Sequence, residues 1–124
     1  PWNMERAYSL PGFAERVLKW HLLRQELLPY IRETARRCAE EYRPMLRPLV
    51  YYWPEDARAA DCGDEFLLGE SLLAAPLMEE NADRRSVYLP RGRWRDCKSG
   101  AEFEGPVETL SEPGGELALF KRLK

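Results

Sequence analysis

Two short apolar runs follow one another in the stretch Phe66–Leu77, FLLGESLLAAPL, and Gly69 lies between them. Further short runs follow downstream at residues 85–90, 93–96, 107–110 and 116–120. Turn-forming residues separate these runs, as in the pair Arg91-Gly92. Short strands spaced about ten residues apart are typical of an antiparallel sandwich or barrel. The C-terminal half is therefore predicted to be antiparallel β-structure.

A buried strand is predicted upstream of this region, in the run Leu49–Trp53, LVYYW. The run is rich in β-branched and aromatic residues, which favour strands, and Pro48 and Pro54 bound it. Its nearly continuous apolar character is typical of a strand covered on both faces, as in parallel sheets.

A long helix is predicted before that strand, from about Pro11 to Tyr42, because apolar residues recur there at helical spacing. Pro29 interrupts the pattern, since it has no amide hydrogen for the carbonyl of Gln25. We therefore expect a kinked helix, or two helices meeting at Leu28-Pro29. Helix followed by strands gives a fold class of α+β.

The composition narrows the classes of function. The 124 residues are 44% hydrophobic and carry a net charge of −2, which disfavours a nucleic-acid binder. No apolar run approaches the roughly 18 residues needed to span a bilayer, so no membrane partner is expected. The three cysteines form no C-x-x-C pair and His21 is the only histidine, so neither a disulfide framework nor a metal site is expected. Reduced cysteines of this kind predict a cytoplasmic location. Cofactor motifs are missing, so no cofactor is expected.

Few residues qualify as candidates for chemistry. His21 is expected to be a packing or surface residue, and the adjacent acids at 40–41, 64–65 and 79–80 to be solvated surface. Glycoside hydrolysis needs two carboxyl groups about 5–10 Å apart across a substrate, which adjacent acids do not provide, so no catalytic residue is predicted. Sugar rings can stack on tryptophan, although lone tryptophans are more often core residues. The weak candidates for substrate binding are Trp2, Trp53 and Trp94.

The residues alone leave the function open. A stand-alone carbohydrate-binding or interaction module built on residues 66–122 would use Trp94. A nucleic-acid binder would use the basic and aromatic stretch Arg84–Arg95.

Four stretches taken together resemble the C-terminal part of the catalytic region in glycoside hydrolase family 31, which contains α-glucosidases and α-xylosidases. The first, Leu23–Ile31, is similar to L-R-Y-x-L-L-P-Y-L/I, and the second, Pro44–Leu49, to P-V-x-R-P-L. The third, Phe66–Leu77, is similar to F-x-L-G-x-x-L-L-V-A-P-V, and the fourth, Val87–Asp96, to V-Y-L-P-x-G-x-W-Y-D. Trp53-Pro54-Glu55-Asp56 stands where the family has F-P-x-D.

The resemblance implies a fold in which residues 1–62 are the last helix and the eighth strand of a (β/α)8 barrel, that strand being 46–53. Residues 63–124 would be part of an antiparallel β-sandwich. It also implies that the catalytic aspartates lie upstream of this chain. The parent enzyme would be a retaining hydrolase of α-glycosidic bonds, with an oligosaccharide or α-glycoside as substrate, and this chain alone would be inactive.

Departures from the family pattern occur at Tyr42, Arg95 and Cys97-Lys98. Because of these departures, the resemblance does not define a subfamily or a substrate. A piece of a barrel would also expose apolar side chains that neighbouring elements normally cover, so self-association is expected. These side chains are Leu27, Ile31, Leu46, Leu49 and Tyr51.

Overall fold

A computed structural model describes residues 9–79, 82–112 and 117–124. The chain divides into two compact units, Pro1–Arg43 and Pro44–Lys124. The boundary predicted between residues 62 and 63 falls inside the second unit, because strands on either side of it pair with each other. As a division of a larger enzyme, that boundary stays a prediction.

In the first unit, a long helix, α1, spans Phe13–Glu41. The helix is continuous through Pro29, so of the two alternatives left open by the sequence a single helix forms rather than two. It ends at Tyr42, which adopts a left-handed conformation (φ 54°) while the Arg43 amide donates to the Cys38 carbonyl at 3.0 Å. In the part of the chain that the structure describes, no helix has the length and apolar character needed to span a bilayer.

Within its described residues, the second unit forms a six-stranded antiparallel sheet with two short helical segments. In chain order the strands are β1 Leu46–Pro48, β2 Phe66–Leu68, β3 Leu72–Ala75, β4 Arg85–Asp96, β5 Glu102–Ser111 and β6 Ala118–Leu123. Their order in the sheet is β1-β2-β3-β6-β4-β5, and every pairing is antiparallel. A 3-10 helix at Leu49–Tyr51 and the helix α2 at Ala57–Asp61 connect β1 to β2. The prediction of antiparallel β-structure is confirmed.

The segment 46–53 differs from its prediction. Only Leu46–Pro48 is a strand, and it pairs antiparallel with β2, so the expectation of a strand covered on both faces is wrong. The chain then turns, because the Leu49 carbonyl accepts the amides of Tyr52 and Trp53. Leu49 is fully buried rather than exposed, whereas Leu46 and Tyr51 are exposed as expected. Leu27 and Ile31 of α1 are partly exposed, and self-association stays a prediction.

The core of the second unit lies where β3, β4 and β6 meet. Its largest fully buried side chains are Trp94 and Phe120, and Phe103 of β5 packs edge-on against Phe120 with ring centroids 6.0 Å apart. The β4–β5 pairing shifts register between Leu89 and Gly92, which makes a bulge in β4. This bulge turns the backbone carbonyls of β4 toward the side chains of the site described below.

The helix α2 begins at a side-chain cap that we expect to stabilise the second unit. The Asp56 carboxylate accepts the amides of Arg58 and Ala59 with one oxygen and the Tyr88 hydroxyl, at 2.6 Å, with the other. Replacing Asp56 by Ala is expected to lower the free energy of unfolding by about 2 kcal/mol, because it removes both the cap and the Tyr88 partner. Urea unfolding at pH 7 measures this change. Tyr88→Phe, which keeps the cap, should cost less.

The same carboxylate makes this effect depend on pH. The Tyr88 hydroxyl, and then the two amides, lower the pKa of Asp56 below its ordinary value. A lowered pKa means that the stabilisation is present above the pKa of the unfolded state, about 4, and is lost as the pH falls through the folded value. The difference between wild type and Asp56→Ala should therefore shrink on acidification. A difference that stays constant down to the acid transition would contradict this account.

Candidate functional site

Two of the predicted site residues meet in the second unit. The rings of Trp53 and Trp94 lie with centroids 5.9 Å apart. The β4 bulge holds both indoles: the Trp53 Nε1–H donates to the Arg91 carbonyl at 3.1 Å and the Trp94 Nε1–H to the Pro90 carbonyl at 2.7 Å. Trp94 is 0% exposed, so it has a packing role and offers no ring face to a sugar.

Trp53 is half-buried, and an arginine covers its ring. The Arg122 guanidinium lies 4.8 Å from the Trp53 ring centroid, a cation–π distance. A sugar that stacked on this face of Trp53 would have to displace Arg122. The third candidate, Trp2, lies outside the described residues.

A second arginine fixes the segment before the 3-10 helix. Arg47 is 3% exposed, and its guanidinium donates to the Pro44 carbonyl at 2.7 Å and to the Tyr52 hydroxyl. It also lies over the rings of Tyr51 and Tyr52, at 5.4 and 5.5 Å from their centroids. In the sequence, Arg47 stands out only as part of the second motif. The local signal that could have found it is the pair Tyr51-Tyr52, since Tyr52 is its hydrogen-bond partner five residues along the chain.

A cluster of charged and sulfur-bearing side chains lies just before β2. Arg85 donates to the Asp64 carboxylate at 2.7 Å and to Glu65 Oε1 at 3.3 Å. Glu65 is buried and also accepts the Tyr88 amide at 2.9 Å. Burial raises the pKa of Glu65, against the opposing effects of the Tyr88 amide and Arg85. The expectation that the acids at 64–65 are solvated surface is therefore wrong for Glu65.

Cys62 completes this cluster. Its thiol lies 3.6 Å from Asp64 Oδ1, and the side chain is buried. Burial, and then the charge on Glu65, raise the pKa of the Cys62 thiol to about 11. At neutral pH the thiol is therefore protonated, and it is a poor nucleophile in this state.

A cavity of about 380 Å³ opens beside the cluster. Asp64, Arg84 and Arg85 give its wall a mixed charge, and Leu77 and Leu110 add apolar surface. The remaining candidate, His21, is exposed on α1 and lies 3.3 Å from Gln25 through its Nε2, as expected for a surface histidine.

Comparison with known proteins identifies the family. The model of the glycosyl hydrolase family 31 C-terminal domain matches residues 42–122, about two thirds of the chain. The chain belongs to glycoside hydrolase family 31. An α-glucosidase from Bacillus thermoamyloliquefaciens is 34% identical to this family 31 chain over 106 residues, which cover 85% of the chain and 13% of that protein.

Solved structures of the family have the same fold. A cycloalternan-degrading enzyme from Trueperella pyogenes superposes with a TM-score of 0.89 at 25% identity, over 100% of this chain and 18% of that one. An α-xylosidase from a soil metagenome gives a TM-score of 0.76 at 30% identity, over 81% of this chain and 15% of its own. This family 31 chain therefore spans less than one fifth of the length of each of these relatives.

The structure places the family's motif residues in structural positions. The third motif of this family 31 chain forms β2, a turn and β3, and the fourth forms most of β4 with its bulge. The glycine of that fourth motif, Gly92, adopts a φ of 141°, which side-chain-bearing residues rarely reach. These motif residues form strands of the sheet and the bulge, and they include the buried Trp94.

Proposed function

We propose that this chain is the C-terminal segment of a retaining glycoside hydrolase that acts on α-glycosidic bonds, and that its own role is structural. The observation that carries the proposal is the family match across residues 42–122 together with the structural use of the carboxylates in the same segment. Relatives named α-glucosidase and α-xylosidase support the α-glycosidic bond as the target.

The carboxylates described above are committed to holding the fold. A retaining hydrolase needs two carboxyl groups about 5–5.5 Å apart, one as nucleophile and one as acid and base. Asp56 caps α2 and holds Tyr88, while Asp64 and Glu65 share Arg85. Glu102 on β5 binds both Arg93 and Arg95. Asp64 and Glu65 lie close together, but Arg85 binds both, and Asp56 and Glu102 are held by the contacts given above. This engagement of the four carboxylates supports catalysis by residues outside this chain.

The structural role is to join a helix to an antiparallel sheet. The exposed apolar side chains Val17, Leu18 and Leu22 on α1 support contact with further elements of a larger enzyme. In the second unit, the short β1 enters the sheet directly after the unit boundary, and buried Arg47 anchors it. A segment built in this way can hold a barrel and a sandwich together without touching substrate.

The substrate of the whole enzyme is proposed from its structural relatives. The Trueperella pyogenes enzyme has been solved with isomaltose, with cycloalternan and with a covalent intermediate. An α-linked oligosaccharide as substrate, and a covalent glycosyl-enzyme intermediate, are therefore proposed for the parent of this chain. Because Trp94 is buried, no observation favours the alternative of a stand-alone carbohydrate-binding module.

The expected result is that the purified 124-residue chain does not hydrolyse nitrophenyl α-glucoside or nitrophenyl α-xyloside above the rate in buffer. Release of nitrophenol measures this, with a complete family 31 α-glucosidase as the positive control and circular dichroism to show that the chain is folded. Turnover that disappears in Glu65→Gln or Asp64→Asn would overturn the proposal, because it would place catalytic carboxylates within this chain.

A further inference from the structure

The loop between α2 and β2 gathers three potential metal ligands. Cys62, Asp64 and Glu65 each offer one donor atom, and the three atoms lie within 4.8 Å of one another. Cys62 is 8% exposed and the Glu65 side chain 3%, while the Asp64 side chain is half-exposed. Two of the three ligand residues are thus buried, and the third is accessible from solvent.

The contacts of the two carboxylates leave one oxygen of each unused by Arg85. Arg85 binds Asp64 through Oδ2 and Glu65 through Oε1, and Oε1 also accepts the Tyr88 amide. Asp64 Oδ1 has the Cys62 thiol as its neighbour, at 3.6 Å. Glu65 Oε2 is fully buried and has no hydrogen-bond partner. A buried carboxylate oxygen without a partner is costly, and it is the feature that points to a missing ligand.

The charge balance favours a cation at this point. When a bound cation keeps both carboxyl groups ionised, Asp64 and Glu65 carry two negative charges, against which Arg85 supplies one positive charge. Arg58 acts on Glu65 and Cys62 from a distance, but its guanidinium is paired with Glu108 at 2.8 Å. The cluster therefore keeps an excess negative charge beside an unused oxygen and a thiol.

One separation in the cluster matches that between two ligands of a tetrahedral ion. With Zn–S of about 2.3 Å and Zn–O of about 2.1 Å, a tetrahedral zinc site places its sulfur and oxygen about 3.6 Å apart. The observed separation of Cys62 Sγ and Asp64 Oδ1 is 3.6 Å. A thiol beside two carboxylates suits zinc better than calcium or magnesium, which take oxygen ligands.

We propose that this loop binds a divalent transition-metal ion of the zinc type through Cys62 Sγ, Asp64 Oδ1 and Glu65 Oε2, with water as the fourth ligand. The Sγ–metal bond replaces the S–H bond, and the thiol proton leaves to solvent. Arg85 and the Tyr88 amide keep their contacts with the other carboxylate oxygens and so orient both ligands. The ion would fasten the beginning of β2 to the α2 loop.

The test is a titration of the reduced 124-residue chain with Zn²⁺ by calorimetry, and with Co²⁺ by absorption. Binding of one ion per chain is expected, together with a thiolate-to-Co²⁺ charge-transfer band. Cys62→Ser should weaken Zn²⁺ binding by more than the roughly 10–100-fold that loss of an outer contact typically costs. The matched control is Cys97→Ser, which removes an exposed thiol elsewhere and should leave binding unchanged.

Two further variants keep the test decisive if Cys62→Ser does not fold. Asp64→Asn alters a half-exposed ligand, and Glu65→Gln keeps an acceptor for the Tyr88 amide while removing the charge. Both should weaken Zn²⁺ binding at least about tenfold. The proposal is overturned if the wild-type chain shows no saturable binding, if the charge-transfer band is lost in Cys97→Ser and kept in Cys62→Ser, or if both carboxylate variants bind as the wild type does.

Discussion

Replacing Gly105 by Ala is expected to destabilise the second unit by about 3 kcal/mol or more. Gly105 lies on β5 opposite Gly92, where the β4 bulge brings the two backbones together. A Cβ atom at this position would overlap the Pro90 carbonyl oxygen and lie 2.5 Å from that of Leu89. Both obstacles are backbone atoms of buried residues, so no side chain can rotate away to make room.

Relief of this clash would disturb a second interaction. The Pro90 oxygen accepts the Trp94 indole N–H at 2.7 Å, so moving it away from β5 shifts the acceptor of a fully buried donor. Any backbone shift that relieves the steric clash therefore also weakens this hydrogen bond. A folded state that survived would therefore have a weakened β4–β5 pairing.

Urea unfolding followed by near-ultraviolet circular dichroism measures the effect. Gly63→Ala is the matched control, because a Cβ there meets nothing within 4 Å and its φ lies outside the left-handed range. We expect that control to change the free energy of unfolding by less than about 1 kcal/mol. Equal unfolding midpoints for the two variants would show that β4 and β5 are not this close at Gly105.

Elements defined by local patterns could be predicted from the sequence. The helix predicted at about 11–42 is observed at Phe13–Glu41, and the runs around residues 66–77 form β2 and β3. Both rest on periodicity and on turn residues, which act over a few positions. The strand predicted at 49–53 does not form, because periodicity cannot distinguish a short apolar strand from a helical turn. Leu49–Tyr51 of this segment form a 3-10 helix in which Leu49 is buried.

A turn and a bulge carry the same local signal. The pair Arg91-Gly92 predicted a break between two strands, whereas β4 continues through it from Arg85 to Asp96. A glycine with positive φ serves both a turn and a bulge, and the pairing partner decides which one forms. That partner is β5, whose Gly105 lies thirteen positions away in the chain.

The candidate sites depended on contacts that no local pattern contains. Glu65 is buried where it accepts the amide of Tyr88, 23 residues later in the chain. The ring of Trp53 is covered by Arg122, from the far end of the chain. The Cys62, Asp64 and Glu65 cluster is local, but its spacing matches no metal motif, and only the buried oxygen of Glu65 distinguishes it from surface acids.

Replacing Trp94 by Ala is expected to lower the free energy of unfolding by about 3–5 kcal/mol. The side chain is 0% exposed and is the largest of the fully buried residues, so truncation leaves a cavity that its neighbours cannot fill. Trp53 would lose its ring neighbour at 5.9 Å, and the Pro90 carbonyl would lose its donor. Trp94→Phe keeps an apolar ring and should lose less.

The matched control is Trp20→Ala, because Trp20 is 37% exposed and lies on α1 in the other unit. It should leave the urea midpoint of the sheet nearly unchanged. Titration with isomaltose, followed by tryptophan fluorescence, separates a packing role of Trp94 from sugar binding. If Trp94 only packs, Trp94→Ala lowers stability and isomaltose does not change the fluorescence of the wild type. A saturable isomaltose response that Trp94→Ala abolishes without loss of stability would instead make Trp94 a binding residue, and would require the β4 bulge to open in solution.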